Sequence, residues 1–310
     1  MKSFIDIQQE AFNLVKNKKY GEVLDLLENA KKEFPLKMDR IGHWCAGIHI
    51  LQDNHGKALE ELRDVLNHGL WWNPVILQND PDLNPIKNSK EFSAVIKDCT
   101  TSYQKEKKEA SAYLEVKGNQ ESPVSLLALH WKGSNSSDFA DQWDKHAIHA
   151  KYLTAYLQSS QLFSYNCYSW DDYKTAEKDI RSNFQEYQKK YSSRNQTHII
   201  AGASQGGKTA IEFILQEKKA DFKGFIAVVP SFTNTMELEE ALNKTPSPKI
   251  KGCVITGTED PFYEQTLQAV EMLNDNGINC RIIVKEGMGH TLPNDFSSIL
   301  QEAVEEIMLD

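Results

Sequence analysis

The sequence predicts two parts of different fold class, a small all-helical domain and an α/β domain built on a mostly parallel sheet. In the first hundred residues, apolar side chains recur at helical spacing. From about residue 113, short β-prone runs alternate with helix-prone segments, which is typical of a parallel sheet flanked by helices. The chain has 310 residues, enough for both parts. We therefore place the helical domain at 1–98, a linker at 99–112 and the α/β domain at 113–310.

The helical domain contains a repeated pattern. Its predicted helices are Phe4–Lys16, Tyr20–Phe34, Asp39–Leu51 and Gly56–His68. The run that begins at Tyr20 is similar to the run that begins at His55, about 35 residues later. Helix pairs with this period resemble tetratricopeptide repeats, which implies pairs that cover each other's apolar faces and a surface for a protein partner or a homodimer. We expect Trp71 and Trp72 to close the apolar core, with a peptide-binding anchor as the alternative.

The α/β domain is predicted element by element from its apolar runs. The predicted strands are Tyr113–Val116, Val124–His130, Leu162–Asn166, His198–Ala201, Gly224–Val229, Ile250–Thr256 and Cys280–Val284. The predicted helices are Phe139–Gln158, Tyr173–Tyr191, Gly206–Glu217, Phe262–Asp275 and Asn294–Met308. We assign no element to the segment Ser231–Ser247.

Composition excludes several classes of function. The formal net charge is −9 and most of it falls in the α/β domain, which argues against nucleic acids and other polyanions as partners. No apolar run is long enough for a membrane span, and the first residues lack the apolar core of a signal peptide. The five cysteines have no metal-binding or disulfide spacing. We therefore expect a cytoplasmic protein with reduced thiols and with neither a metal nor a cofactor.

The run from His198 to Ala210 contains the most informative motif, Gly202-Ala203-Ser204-Gln205-Gly206. A β-prone stretch precedes it and a helix-prone stretch follows, which is the context of a nucleophile elbow. The two glycines suit a turn so sharp that a Cβ would collide with neighbouring backbone. The overlapping pattern that ends at Lys208 also matches a phosphate-binding loop, but we reject nucleotide binding because no accompanying aspartate strand is evident. The motif predicts Ser204 as a catalytic nucleophile.

A serine nucleophile requires a base, and the base requires an acid that orients it. Where the three residues occur along the chain in the order serine, acid, histidine, the acid follows a strand after the elbow and the histidine follows a later strand. Asp260 and His290 follow two such predicted strands, at the edge of the sheet where sites form in α/β folds. Glu259 is the alternative acid. We predict His290 as the general base and Asp260 as the residue that fixes its tautomer.

Four motifs together resemble the α/β-hydrolase superfamily. They are Leu-His-x-x-Gly at 129–133, Gly-Ala-Ser-Gln-Gly-Gly at 202–207, Gly-x-x-Asp-Pro at 257–261 and Gly-x-Gly-His at 287–290. The most similar branch is the phospholipase/carboxylesterase group, which includes acyl-protein thioesterases, and the resemblance covers about residues 113–310. It implies hydrolysis of carboxylic esters or thioesters through an acyl-enzyme on a Ser-His-Asp triad.

The resemblance also implies an oxyanion hole. One donor would be the backbone N–H of Gln205, and the second would be the N–H of Lys132 or, alternatively, of Trp131. The family usually has glycine where this chain has Trp131, so Trp131 is also a candidate wall of the substrate pocket. Trp170 is a second pocket candidate, or else it packs against a helix start. We expect the side chain of His130 to turn to the backbone of its own loop.

The sequence leaves two alternatives to an esterase or thioesterase. One is a peptidase or another acyl hydrolase that uses the same triad. The other is an interaction protein in which tetratricopeptide-like helices recruit a partner and the hydrolase domain is weakly active. A small acyl ester or thioester is the expected substrate in the leading interpretation.

Overall fold

A computed structural model describes residues 4–191, 196–216, 221–244 and 250–309. The chain divides into two compact units, Met1–Glu109 and Ala110–Asp310. Among the described residues, no helix is both long and apolar enough to cross a membrane.

The first unit is entirely helical. Its α-helices are α1 (Phe4–Lys16), α2 (Tyr20–Glu33), α3 (Met38–Leu51), α4 (His55–Asn67), α5 (Pro74–Asn79) and α6 (Lys90–Glu109), with short 3₁₀ helices at Pro35–Lys37 and Pro81–Ile86. The four predicted helices are confirmed to within one residue at each end. The predicted linker is wrong over 99–109, because α6 continues through it and belongs to the first unit.

The two adjacent tryptophans belong to the core of the first unit. Trp71 and Trp72 are both buried. Their indole N–H groups donate hydrogen bonds to the Glu106 carboxylate at 2.7 Å and to the Asp39 carbonyl at 2.9 Å. The packing interpretation is therefore confirmed for both rings. Binding of a protein partner or a second copy by this unit stays a prediction.

The second unit contains a seven-stranded sheet in the order β1-β3-β2-β6-β7-β8-β9, with β1 antiparallel to β3 and every other pair parallel. Its strands are β1 (Tyr113–Gly118), β2 (Val124–Leu129), β3 (Leu153–Gln158), β6 (Thr197–Ala203), β7 (Gly224–Val228), β8 (Lys251–Gly257) and β9 (Asn279–Lys285). Strands β4 (Gln161–Ser164) and β5 (Cys167–Ser169) form a separate hairpin. The predicted mostly parallel sheet is confirmed.

Helices cover both faces of this sheet. They are α7 (Ser136–Asp144), α8 (Tyr173–Lys190), α9 (Gln205–Gln216), α10 (Met236–Lys244), α11 (Tyr263–Asp275) and α12 (Phe296–Met308). Buried side chains of α8, α9, α10 and α11 form one apolar core with the sheet, and those of α7 and α12 form another on the opposite face. Apolar burial on both faces explains why the central strands are apolar throughout rather than alternating.

Two predicted elements of this unit are wrong. The helix predicted at Phe139–Gln158 is too long, because α7 ends at Asp144. A 3₁₀ turn follows at Ile148–Ala150, and the last part of the predicted helix is the buried strand β3. Ala147 has a left-handed backbone with φ +54°, which is incompatible with a continuing α-helix. The strand predicted at Leu162–Asn166 belongs to the β4–β5 hairpin and not to the main sheet.

Two further predictions fall near gaps in the described residues. Glu217, the last residue of the helix predicted after the elbow, lies outside the described residues, as do positions 245–247 of the unassigned segment. The preceding part of that segment contains helix α10, which the sequence analysis did not predict.

Candidate active site

Four loops meet at the carboxyl edge of the parallel strands. They follow β2, β6, β8 and β9 and carry His130, Ser204, Asp260 and His290, respectively. Strands β2 and β6 are neighbours, and the strand order reverses between them. In α/β sheets, ligands bind in the crevice that forms at such a reversal, outside the carboxyl ends of the strands. The four loops that carry the predicted site residues meet at this edge of the sheet.

The turn between β6 and α9 has the geometry of a nucleophile elbow. Ser204 occupies the left-handed region with φ +54°, an unusual conformation for a residue other than glycine. A Cβ at Gly202 would collide with the backbone of Gly206, and a Cβ at Gly206 would collide with the carbonyl oxygens of Leu129 and His130. Both glycines are therefore required by close backbone approach, as the sequence pattern indicated.

A chain of hydrogen bonds connects Ser204, His290 and Asp260. The Ser204 hydroxyl lies 2.8 Å from His290 Nε2, and His290 Nδ1 lies 2.7 Å from Asp260 Oδ2. Asp260 is buried, and its second oxygen accepts a hydrogen bond from the backbone N–H of Phe262 at 2.7 Å. Of the two candidate acids, Asp260 and not Glu259 contacts the imidazole. In this arrangement Nδ1–H donates to the carboxylate, which leaves Nε2 free to accept the hydroxyl proton.

Two aromatic rings flank the imidazole of His290. The Trp131 ring centroid lies 5.6 Å away and that of Phe262 lies 5.4 Å away, both edge to face. The Trp131 indole N–H also donates to Gln142 Oε1 at 2.9 Å, which fixes the ring in place. These contacts restrict the orientation of the His290 imidazole, which has an aromatic ring on two sides and a hydrogen-bond partner at each nitrogen.

The loop after β2 is held by His130. This histidine is completely buried, and burial lowers its pKa to about 4, so it is neutral near pH 7. Its Nδ1–H donates to the Trp131 carbonyl at 2.7 Å, and the Trp170 indole N–H donates to the His130 carbonyl at 2.9 Å. The side chain of His130 therefore turns to its own loop, which confirms the prediction.

Three backbone N–H groups near Ser204 have no hydrogen-bond acceptor among the described residues: those of Trp131, Lys132 and Gln205. The Trp131 carbonyl accepts bonds from the His130 ring and from the Ser134 N–H. In a trans peptide the C=O and the following N–H point in opposite directions, so the Lys132 N–H is directed away from the His130 ring. Gln205 is the first residue of α9, where N–H groups lack partners within the helix.

A cleft of about 580 Å³ opens beside Ser204. Trp170, one of the two predicted pocket residues, lines it, together with Lys132 and Gln205. Trp131, the other predicted pocket residue, is not among the lining residues and packs against His290 instead. The Gln205 side chain accepts from the backbone N–H of Trp170 and donates to Asp171, each at 2.8 Å.

The cleft is lined by several charged side chains: Lys132, Asp171, Lys208, Glu212, Glu237 and Glu240. The sequence analysis named Lys132 only for its backbone N–H and Lys208 only as the end of a rejected phosphate-loop pattern, and it named none of the three glutamates. Lys132 pairs with Asp171 at 2.6 Å. Burial raises the pKa of Asp171, but hydrogen bonds from Lys132, Gln205 and Ser169 outweigh it and hold that pKa below its ordinary value.

Lys208 lies between two carboxylates that also line the cleft. Its ammonium is 3.4 Å from Glu212 and forms an ion pair with Glu237. Burial raises the pKa of Glu212 to about 7, against the opposing effect of Lys208. The same two carboxylates raise the pKa of Lys208 although burial lowers it. A sequence signal for this group existed, since Lys208 and Glu212 follow Ser204 at intervals of four residues along one helix face.

A separate group of potential metal ligands lies in the first unit. Glu28, Cys45 and Glu61 bring one ligand atom each within 4.8 Å of one another. The Lys31 ammonium already pairs with both carboxylates, at 2.6 Å and 2.7 Å. Burial, the largest effect, raises the pKa of the Cys45 thiol to about 12, which disfavours the thiolate that a metal would need.

Solved structures provide a comparison for the fold. A crystal structure of an uncharacterized protein from Bacillus cereus ATCC 10987 has 24% identity and a TM-score of 0.52 and covers 99% of each chain. The crystal structure of esterase PE8 has 17% identity and a TM-score of 0.53 and covers 64% of this chain and 100% of its own. Residues 110–310 have the α/β-hydrolase fold.

The N-terminal unit also has a match. Residues 3–109 match the family model described as "A/B hydrolase-like, N-terminal domain".

A third solved structure was compared with the whole chain. The crystal structure of acyl-protein thioesterase 2 from Zea mays has 14% identity and a TM-score of 0.49 and covers 63% of this chain and 98% of its own. Comparison with curated proteins found no significant match.

Proposed function

We propose that the chain is a serine hydrolase that cleaves carboxylic esters or thioesters through an acyl-enzyme at Ser204. The observation that carries this proposal is the hydrogen-bond chain from Ser204 through His290 to the buried Asp260, beside an open cleft. The α/β-hydrolase fold, which the chain shares with a protein described as an esterase, supports the same conclusion.

The geometry supports a two-step reaction. His290 Nε2 takes the hydroxyl proton as the Ser204 oxygen attacks the acyl carbon, and the imidazolium then gives that proton to the leaving alcohol or thiol. Asp260 holds the tautomer of His290 and stabilises its positive charge. In the second step the same imidazole takes a proton from a water molecule as the water oxygen attacks the acyl carbon. The bond from the acyl carbon to the Ser204 oxygen then breaks, the carboxylic acid leaves, and the imidazolium returns the proton to Ser204.

The tetrahedral intermediate of each step carries an oxyanion. Gln205 supplies one backbone N–H, at the positive end of α9. Lys132 is the better second donor, because its peptide is held by the bonds to the Trp131 carbonyl and its N–H is directed away from the buried His130 ring. Trp131 then acts on the site through its contact with His290 and not as a donor.

Labelling with a fluorophosphonate tests the nucleophile, and hydrolysis of p-nitrophenyl acetate tests the reaction. We expect Ser204→Ala to lose both, while the matched control Ser182→Ala, at an exposed position on α8, retains both. Matched ester, thioester and amide substrates then rank the leaving groups. Labelling of Ser204→Ala at the wild-type level, with retained hydrolysis, would falsify the proposal.

A further inference from the structure

The two residues proposed as oxyanion donors are connected through their side chains. Lys132 lies in the loop after β2, and Gln205 is the first residue of α9. The Lys132 ammonium and the Gln205 amide both donate to the same oxygen, Asp171 Oδ1, at 2.6 Å and 2.8 Å. One carboxylate therefore bridges two loops that are distant in sequence, and each of these loops carries one of the backbone N–H groups.

The segment that carries this carboxylate is itself bonded to its surroundings. The hydroxyl of the buried Ser169 donates to Asp171 Oδ2 at 2.9 Å. The backbone N–H of Trp170 donates to Gln205 Oε1 at 2.8 Å. The Gln205 amide thus has a partner at its oxygen and at its nitrogen, and both partners belong to residues 170–171. A short side chain bonded at both atoms keeps the start of α9 in a fixed position relative to this segment.

The loop after β2 is bound to the same segment through its backbone. The Trp170 indole N–H donates to the His130 carbonyl at 2.9 Å. The Gly133 N–H donates to the Tyr168 carbonyl at 2.9 Å, and the Tyr168 N–H donates to the Ser134 carbonyl at 2.8 Å. Residues on both sides of the proposed donor in this loop are therefore held by strand β5 and the residue that follows it.

The ion pair between Lys132 and Asp171 is partly open to solvent. The two side chains are 44% and 51% exposed, and exposed ion pairs contribute little to folding stability. The effect of the Asp171 carboxylate on geometry is larger, because two N–H groups stabilise one oxyanion only when both are directed at it. A carboxylate bonded to the side chains of both donor residues limits how far the two loops can separate.

We propose that Asp171 is a positioning residue, which holds the backbone N–H groups of Lys132 and Gln205 at the separation that an oxyanion requires. The inference rests on the proposed function, because an oxyanion forms here only if Ser204 attacks a carbonyl group. Asp171 acts through the two side chains that it bonds, and the backbone N–H groups of the same two residues contact the oxyanion. Its loss should therefore weaken the binding of the transition state more than the binding of the substrate.

Hydrolysis of p-nitrophenyl acetate and inhibition by trifluoroacetone test this role together. In the inhibited enzyme the Ser204 oxygen adds to the ketone carbon, His290 takes the hydroxyl proton, and the ketone oxygen becomes the oxyanion. Removal of one oxyanion donor lowers kcat on the order of 10²- to 10³-fold, and displacement should cost less. We expect Asp171→Ala to lower kcat and kcat/KM by about tenfold, to raise the Ki of trifluoroacetone by a similar factor, and to change KM by less than about twofold.

Side-chain variants of Lys132 and Asp171 test the connection, because they retain every backbone N–H. We expect Lys132→Met to lower kcat/KM by about threefold to tenfold, and the double variant with Asp171→Ala to be less active than Asp171→Ala by no more than about twofold. Asp171→Asn keeps an oxygen that can accept from the Gln205 amide, so its activity should lie between those of wild type and Asp171→Ala. Asp98→Ala is the matched control, because the Asp98 side chain is also 51% exposed and pairs with Arg63 at 2.6 Å. It should retain the wild-type kcat/KM and Ki.

The outcomes separate this inference from the proposed function. Ser204-dependent hydrolysis that is unchanged in Asp171→Ala overturns the inference and leaves the proposed function standing. A lower kcat/KM with an unchanged Ki, losses that multiply in the double variant, or an equal loss in Asp98→Ala overturns the inference as well. If circular dichroism shows that Asp171→Ala does not fold, Asp171→Asn and Lys132→Met provide the same comparison of kcat/KM with Ki. Failure of the wild type to hydrolyse any of the ester, thioester and amide substrates overturns the proposed function and the inference together.

Discussion

Glu212→Gln should make the stability of the protein less dependent on pH. Burial raises the pKa of this carboxyl from its ordinary value of 4.5 to about 7. The folded state holds the proton of Glu212 more tightly than the unfolded chain does. The free energy of unfolding of the wild type is therefore lowered at every pH at which the unfolded chain has lost that proton. The penalty is absent below the unfolded pKa, grows as pH rises from 4.5, and is complete above about 7.

The size of this effect follows from the difference between the ordinary pKa of 4.5 and the raised pKa of about 7. This difference corresponds to about 3 kcal/mol of unfolding free energy when the penalty is complete. Between about pH 5.5 and about pH 8.5, the accessible range, the change is about 2 kcal/mol. The groups facing Glu212 are Lys208 on its own helix, Glu237 on α10 and Tyr173 on α8, whose hydroxyl donates to the Glu212 carbonyl.

Urea unfolding at several pH values, followed by tryptophan fluorescence, measures the difference between variant and wild type. We expect Glu212→Gln to gain about 2 kcal/mol on the wild type as pH rises across that range. Glu239→Gln, which removes an exposed carboxylate of α10, should give a flat difference. A flat difference for Glu212→Gln as well would refute the reasoning, because it would mean that folding does not raise the pKa of this carboxyl.

Three further substitutions test the site. Asp260→Asn should lower kcat for p-nitrophenyl acetate by on the order of 10⁴-fold, and a loss of less than tenfold would contradict its role beside the imidazole. Gly206→Ala should lower the Tm or abolish soluble expression, because the added Cβ would collide with the His130 carbonyl, whereas Gly21→Ala has open space and should fold normally. Trp170→Phe should cost about 1 kcal/mol in urea unfolding through the lost bond to the His130 carbonyl, and an unchanged stability would argue against that bond.

The sequence predicted the candidate site better than it predicted the elements around it. Ser204, Asp260 and His290 follow strands with strong local signals, and strand ends of a parallel sheet meet at one edge, so local information was sufficient. The secondary-structure prediction failed for the region after α7, because the apolar residues of that region suit a helix and a buried strand equally well. Only pairing with β1 and β2 makes Leu153–Gln158 a strand, and that is a tertiary effect.

The prediction failed for the hairpin of β4 and β5 for a different reason. The predicted strand continued to Asn166, but that residue has φ +45° and forms the turn. Asparagine tolerates the left-handed region, so the turn had a recognisable signal. The charged cleft was missed because Glu237 of α10 meets Lys208 of α9 only in the folded chain, and the acidic residues of α10 are typical of any exposed helix.

Helix α9 joins two parts of the cleft that are determined in different ways. Ser204 directly precedes the helix and Gln205 is its first residue, and the positions of both are fixed by close backbone contacts at Gly202 and Gly206. Its next two turns carry charged side chains that line the cleft, and there the side chains and not the backbone determine the environment. Substitutions at Gly202, Ser204 or Gly206 should therefore abolish hydrolysis, because backbone geometry at the turn positions the reacting oxygen. Glu212→Gln should instead change how the stability of the protein depends on pH, because burial and the side chains around Glu212 set the pKa of its carboxyl.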